Sequence, residues 1–191
     1  MDYSKPVKIP DGRYFLKVAQ KGERIFHQVN NVKAPEGIKR DVKTTTLVPT
    51  LKNLFEDIDN EFVSQAEVQK LEWFGKEISN ETIRSAYQAS LTPDGTLSLP
   101  LATVKGEVVA TLYNAQKELV EEIPAGSDCD VFLELAGLWF LKRSFGPIWR
   151  LVQARVRPGP KPRAHVYPTE LKILTEEPEE EDAEDPADYL D

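Results

Sequence analysis

The chain has 191 residues, 40% hydrophobic and 29% charged, with 24 Lys+Arg, 32 Asp+Glu and a single cysteine. That length suits one domain with a sizeable core plus a tail. No apolar run of about 18 residues is present, so no transmembrane helix is expected, and lone Cys129 excludes an internal disulfide framework.

The N-terminus, MDYSKPVKIPDGRY, lacks the apolar h-region of a secretory signal. With so little cysteine, a reducing cytoplasmic or nuclear setting is expected rather than secretion. The next stretch, GRYFLKVAQKGERIFHQVN, predicts two short strands around the turn Gln20-Lys21-Gly22-Glu23. In it Tyr14, Leu16 and Val18 alternate with Arg13, Phe15 and Lys17. NNVKAPEGIKRDVKTTT is polar, basic and broken by Pro and Gly, and predicts a loop carrying Lys39 and Arg40.

Residues 50–89 turn acidic, with apolar residues at helical spacing: Leu51, Leu54, Phe55 and Ile58, then Phe62, Val63, Val68 and Leu71. Two or three short helices are predicted, with Thr50 and Asn80 where N-caps belong. Strand signals return in TLSLPLATV, EVVATLYNA and DCDVFLELAGLWFLKR. The last of these enters Ser144-Phe145-Gly146-Pro147, read as a four-residue connection, and returns from Ile148 to Arg157 as a hairpin. Gly137 marks a bulge able to switch the parity of the outgoing strand, which leaves open whether Trp139 or Phe140 is exposed. On the return strand, Ile148, Val152, Ala154 and Val156 form the expected core row, interrupted by Arg150. Trp149, Leu151, Gln153, Arg155 and Arg157 form the expected surface row.

Charge is unevenly distributed. Residues 135–169 hold seven Lys/Arg (Lys142, Arg143, Arg150, Arg155, Arg157, Lys161 and Arg163) and no acid. Residues 171–191 hold ten acids and one lysine. A surface of one sign interleaved with aromatic rings suits a single-stranded nucleic acid, whose phosphates meet Lys and Arg and whose bases stack on rings. The alternative for Trp139 and Trp149 is a place in the core. The acid-rich end reads as a disordered tail. Its last residues, DYLD, suggest a partner hook at Tyr189, Leu190 and Asp191, and a polyanion tethered to a basic groove competes there at high effective concentration.

Enzyme motifs are lacking. His27, His165 and Cys129 make no triad or zinc site, and neither a Walker motif nor GxGxxG occurs. Glu56, Asp57 and Asp59 could hold Mg²⁺, but such acids on a helix more often form a solvated surface. No enzyme activity, metal or cofactor is expected.

The segment IPAGSDCDVFLELAGLWFLKRSFGPIWRLVQARV, residues 123–156, resembles the replicative single-stranded-DNA-binding proteins of bacteriophages and large DNA viruses. It carries their hydrophobic strand into "GLWF", basic turn "KRSFG" and closing strand "WRLVQ". The resemblance implies an OB-fold-like, partly open five-stranded β-barrel over residues 1–170. That fold is mainly β, with a small helical insertion at about 50–89 and an acidic tail over 171–191. It implies a non-enzymatic role coating exposed strands in replication, recombination and repair, in a viral replication compartment if the source is viral. It carries over Trp139, Lys142, Arg143, Phe145, Trp149 and Arg155 as strand contacts. Around them, Arg13, Tyr14, Lys39, Arg40, Phe140, Arg150, Arg157, Lys161 and Arg163 complete the expected surface. Gly146-Pro147 departs from the pattern by stiffening the turn. Expected partners are single-stranded DNA and, through the tail, replication proteins such as a polymerase, helicase or primase. No membrane partner is expected, and a homodimer is left open. The alternative is a viral structural or assembly protein whose β-barrel carries a basic partner patch.

Overall fold

In the computed structural model, which describes residues 1–159, the long last hairpin organises everything else. The first strands are β1 (Asp2–Tyr3), β2 (Val7–Lys8), β3 (Tyr14–Ala19), β4 (Ile25–Ala34), β5 (Ile38–Lys39) and β6 (Thr44–Pro49). Three helices follow: α1 (Asn53–Val68), α2 (Lys70–Phe74) and α3 (Asn80–Ala86). Then come β7 (Leu97–Pro100), β8 (Thr103–Val104), β9 (Glu107–Val108), β10 (Thr111–Tyr113), β11 (Leu119–Val120) and β12 (Glu122–Ile123). The hairpin itself is β13 (Ser127–Phe140) and β14 (Phe145–Val156).

The fold is mainly β with a helical insertion, as expected, and its sheet is not closed. The main sheet runs β11-β10-β14-β13-β4-β6-β7, with β1, β2 and β3 alongside. Five of these strands, β14-β13-β4-β6-β7, curl towards a ring. Its seam, between β14 and the end of β7, is joined at the Leu101–Leu151 bridge, where Ala102 N–H donates to the Leu151 carbonyl at 2.8 Å. Further along β14 the seam stays open. The Phe145 carbonyl, like that of Leu151, faces this edge, accepting from Gln88 N–H at 2.8 Å. Strand alternation turns Pro147 to the same edge, where it has no N–H to offer. Gly146-Pro147 therefore lies within β14 rather than in the hairpin connection. The connection is Leu141–Ser144, closed by Leu141 N–H to the Ser144 carbonyl at 2.8 Å.

β3 and β4 do not pair with each other as a hairpin. Both run antiparallel to β13, Tyr14–Lys17 against Gly137–Phe140 and Ile25–Ala34 against Ser127–Leu135. The Gln20–Glu23 turn, with φ of 51° at Lys21 and 79° at Gly22, is extruded between them. The region expected to be a loop is partly strand: β4 continues to Ala34, β5 pairs β12, and β6 pairs β4 and β7.

The helices form where the apolar spacing placed them. α1 buries Phe55, Ile58, Phe62 and Ala66 on one stripe. The caps differ from expectation. Ser79, not Asn80, accepts Thr82 N–H at the start of α3. The Thr50 hydroxyl donates to the Asn31 carbonyl at 2.6 Å instead of capping α1. Among the described residues no helix is long and apolar enough to cross a membrane.

Two bulges in the hairpin set which residues face the core. Ala136 is the extra residue on β13 and Val152 on β14. Inward on β13 are Cys129, Val131, Leu133 and Leu135, and beyond the bulge Leu138 and Phe140. On β14 the inward residues are Trp149 and Leu151 before the bulge and Ala154 after it. This corrects the expected rows: Trp149 and Leu151 belong inside, while Ile148 and Val152 are half-buried.

Candidate nucleic-acid interface

The exterior of the sheet β3/β4–β13–β14 is built by the same alternation. With Leu16 and Val18 inward, Phe15 and Lys17 point out. Cross-strand partners share a face, so the register lays out rows across the exterior. One is Val7, Phe15, Trp139 and Gly146. Next come Lys17, Gly137 and Ile148, then Phe26, Glu134 and Arg150. The rows end with Gln28, Phe132 and Gln153, and with Asp130 opposite Arg155.

The glycines let the rings lie down. Gly137 has φ of 155°. A Cβ there would collide with the Leu16 carbonyl and sit 2.9 Å from Phe15 Cε2. A Cβ on Gly146 would sit 2.6 Å from the Gln88 carbonyl oxygen and 3.3 Å from Trp139 Cζ2. Further along the face, Phe26 is 46% exposed and Phe132 40%, and the Arg24 guanidinium lies 5.6 Å from the centre of the Phe26 ring.

Where the seam stays open, a cleft of about 580 Å³ runs between β14 and the segment after α3. Arg13, Tyr14, Phe15, Trp139 and Arg150 line one side, and Gln88, Ala89 and Ser90 the other. A polar network holds that second wall. The Asp59 carboxylate accepts from Tyr87 Oη at 2.7 Å, Ser90 N–H at 2.9 Å and Ser90 Oγ at 2.6 Å. Trp149 Nε1–H donates to Ser90 Oγ at 2.9 Å. Burial pushes the Asp59 carboxyl above its ordinary range, against the pull of these bonds. Burial, and then the neighbouring Asp59 charge, pushes the Tyr87 hydroxyl up as well. Asp59 is thus a structural acid, and no cluster of three metal-ligating side chains occurs among the described residues.

Residues 30–174 match the profile of a family of unknown function, DUF5871. The chain belongs to DUF5871. The matched span holds the hairpin and the helical wall of the cleft, while β1–β3, with Arg13, Tyr14, Phe15 and Lys17, precede it. A comparison with curated proteins finds no match. Among solved structures, the DUF5871 chain is similar to the single-stranded DNA-binding protein of bacteriophage Enc34. That alignment has a TM-score of 0.44 at 14% identity and covers 91% of this chain and 99% of that one. A C-terminally truncated form gives 0.44 at 14%, covering 84% and 98%. The form in complex with single-stranded DNA gives 0.43 at 14%, covering 83% and 97%.

The DUF5871 structure brings some of the expected residues together and withdraws others. Arg13, ion-paired with Asp11, together with Tyr14, Trp139 and Arg150, borders the cleft. Lys142 and Arg143 are exposed at the hairpin tip. Arg155 and Arg157 lie at the far end of β14, held by Asp130 at 3.4 and 3.6 Å. Phe140, Phe145 and Trp149 are corrections, being 6%, 1% and 3% exposed. Phe140 and Phe145 stack on each other at 5.5 Å inside a cluster with Phe74, and Phe145 also packs on Tyr87. The Trp149 ring packs edge-on against Phe55 and His27. All three side chains face inward, which leaves little ring area on which a base could stack. Lys39 and Arg40 sit apart on the β5–β12 ladder, paired with Glu122 at 3.5 Å and Glu121 at 3.1 Å. Lys161, Arg163, Tyr189, Leu190 and Asp191 lie outside the described residues.

Phe15, Lys17, Arg24, Phe26 and Phe132 were missed. Their signal was present in plain alternation, with Phe15 between exposed Tyr14 and inward Leu16, and Phe132 between inward Val131 and Leu133. The density of charge further along the chain obscured it.

Proposed function

We propose that this DUF5871 protein binds single-stranded DNA across the exterior of β3/β4–β13–β14 and into the adjoining cleft, without marked sequence preference. The observation that carries this reading is the face itself. Phe15, Trp139, Phe26 and Phe132 lie outward among Lys17, Arg24 and Arg150. Large rings on a barrel exterior gain nothing from the core, whereas each can stack a base for about 1–3 kcal/mol. The only acids in these rows, Asp130 and Glu134, are each already paired with arginine. A duplex keeps its bases stacked internally and leaves such rings unused.

The role that follows is non-catalytic: coating exposed strands during replication, recombination and repair, in the cytoplasm, nucleus or a viral replication compartment. The acidic stretch 171–191 is proposed to compete with DNA for the basic face and to recruit replication proteins through Tyr189 and Leu190. These finer roles rest on charge and sequence, since that stretch lies outside the described residues. Fluorescence titration with single- and double-stranded oligonucleotides at several salt concentrations tests the binding. Single strands should bind more tightly, with log K falling at about −0.7 per neutralised phosphate against log salt. Equal affinity for duplex, or affinity flat in salt, contradicts the reading.

A further inference from the structure

Glu134 is out of place on this face. It belongs to an outward row, between Phe26 and Arg150, yet it is only 4% exposed. A carboxylate withdrawn from water is costly unless paired, and in plain Coulomb terms an acid here opposes a polyanion. Its partners are unequal. Arg24 grips Oε1 through Nε at 2.8 Å and Nη2 at 2.7 Å. Oε2 is buried and has no hydrogen-bond partner among the described residues. Arg150 Nη1 stands 3.9 Å from Oε2, within ion-pair range but beyond a hydrogen bond. Lys17 joins Arg24, Glu134 and Arg150 around a hollow of about 220 Å³, so three cations surround one acid.

The geometry points to a phosphodiester subsite at Lys17, Arg24 and Arg150, for which Glu134 is the positioning residue. This rests on the single-strand reading above and adds where a phosphate sits. Arg24 meets the carboxylate with Nε and Nη2, which leaves Nη1 and the remaining Nη2 N–H for a phosphate oxygen. Arg150, held loosely, is free to turn towards the same oxygen. Phe15 and Trp139 lie on one side of the hollow and Phe26 on the other, so bases on either side of that phosphate have rings within reach. Glu134 thus offsets part of its own charge cost by fixing the Arg24 guanidinium, which would otherwise fold back into water, and by drawing Arg150 towards it.

Charge and positioning predict opposite signs for the same substitution. Glu134→Gln keeps the volume and one acceptor while removing the negative charge. If Glu134 acts only through its charge, the variant binds a fluorescein-labelled oligo-dT more tightly. If Glu134 positions the guanidinium groups, the variant binds about tenfold more weakly at low salt, and the slope in log salt falls by about 0.7 for each phosphate no longer neutralised. In an Arg24→Gln background, Glu134→Gln should cost much less, because the group it positions is gone. Arg24→Lys keeps the charge but loses the fork, and it should also weaken binding. It carries the test if Glu134→Gln melts early. Unchanged or tighter binding by folded Glu134→Gln, or full affinity in Arg24→Lys, overturns the proposal. A wild-type protein that does not bind oligo-dT overturns the single-strand reading itself.

Discussion

Trp139 and Trp149 stand ten residues apart on adjacent strands, and their surroundings differ: Trp149 is buried, Trp139 half-buried. Trp149 has its indole N–H satisfied by Ser90 and its ring against Phe55. Trp149→Ala should therefore cost about 3–5 kcal/mol of stability, read as a large drop in Tm. Trp139→Ala and Phe132→Ala should leave Tm nearly unchanged and each weaken oligo-dT binding by about 1–3 kcal/mol. A Trp139→Ala protein that melts early but binds normally would place that ring in the core instead. Cys129 gives an independent check on the inward row of β13. Burial, with Asp128 and Asp130 alongside, pushes its thiol up to about 11. It should resist thiol reagents at neutral pH in the native protein and react at once in denaturant.

At the scale of elements, the hairpin was legible in sequence but its facing was not. Strand identity follows from β-branched and aromatic residues between turns, which local composition reports. Facing depends on parity, and one extra residue reverses it. Gly137 announced the β13 bulge at Ala136, because only a glycine tolerates the close pass of the Leu16 carbonyl there. Nothing local announces Val152, since its bulge is imposed by pairing with β13. That second bulge is why the expected rows of β14 hold from Gln153 onward, with Ala154 inward, and are reversed from Ile148 to Leu151. The helical insertion was legible from its apolar stripe, but its attachment through Asp59 was not, because Tyr87 and Ser90 are 28 and 31 residues away. This attachment has a pH signature. A carboxyl whose folded pKa is raised contributes stability that is present below its unfolded value, about 3.9, and lost as pH rises through the folded value. The Tm of the wild type relative to Asp59→Asn should thus fall as pH is raised through that window. A difference constant with pH would show that Asp59 ionises as freely in the fold as in the unfolded chain.

For the whole molecule, the basic residues of the candidate face come from more of the chain than the stretch 135–169. The basic stretch 135–169 contributes Arg150 to the face, but Lys17 and Arg24 come from the N-terminal strands. They join it because β3 and β4 run end to end along β13, a long-range pairing that no short window of sequence reveals. Removing residues 175–191, with their ten acids and no base, should raise affinity for single strands, most at low ionic strength where screening is weakest. Unaltered affinity at low salt would leave those acids without a competing role.

A single strand is proposed to lie on the exterior of β3/β4–β13–β14. Ultraviolet crosslinking of the full chain to oligo-dT, with the adducts located by mass spectrometry, tests it most directly. Adducts should fall on Phe15, Phe26, Phe132 and Trp139, with none on Phe140, Phe145 or Trp149. Adducts concentrated around Lys39 and Arg40, or spread evenly over the chain, would contradict it.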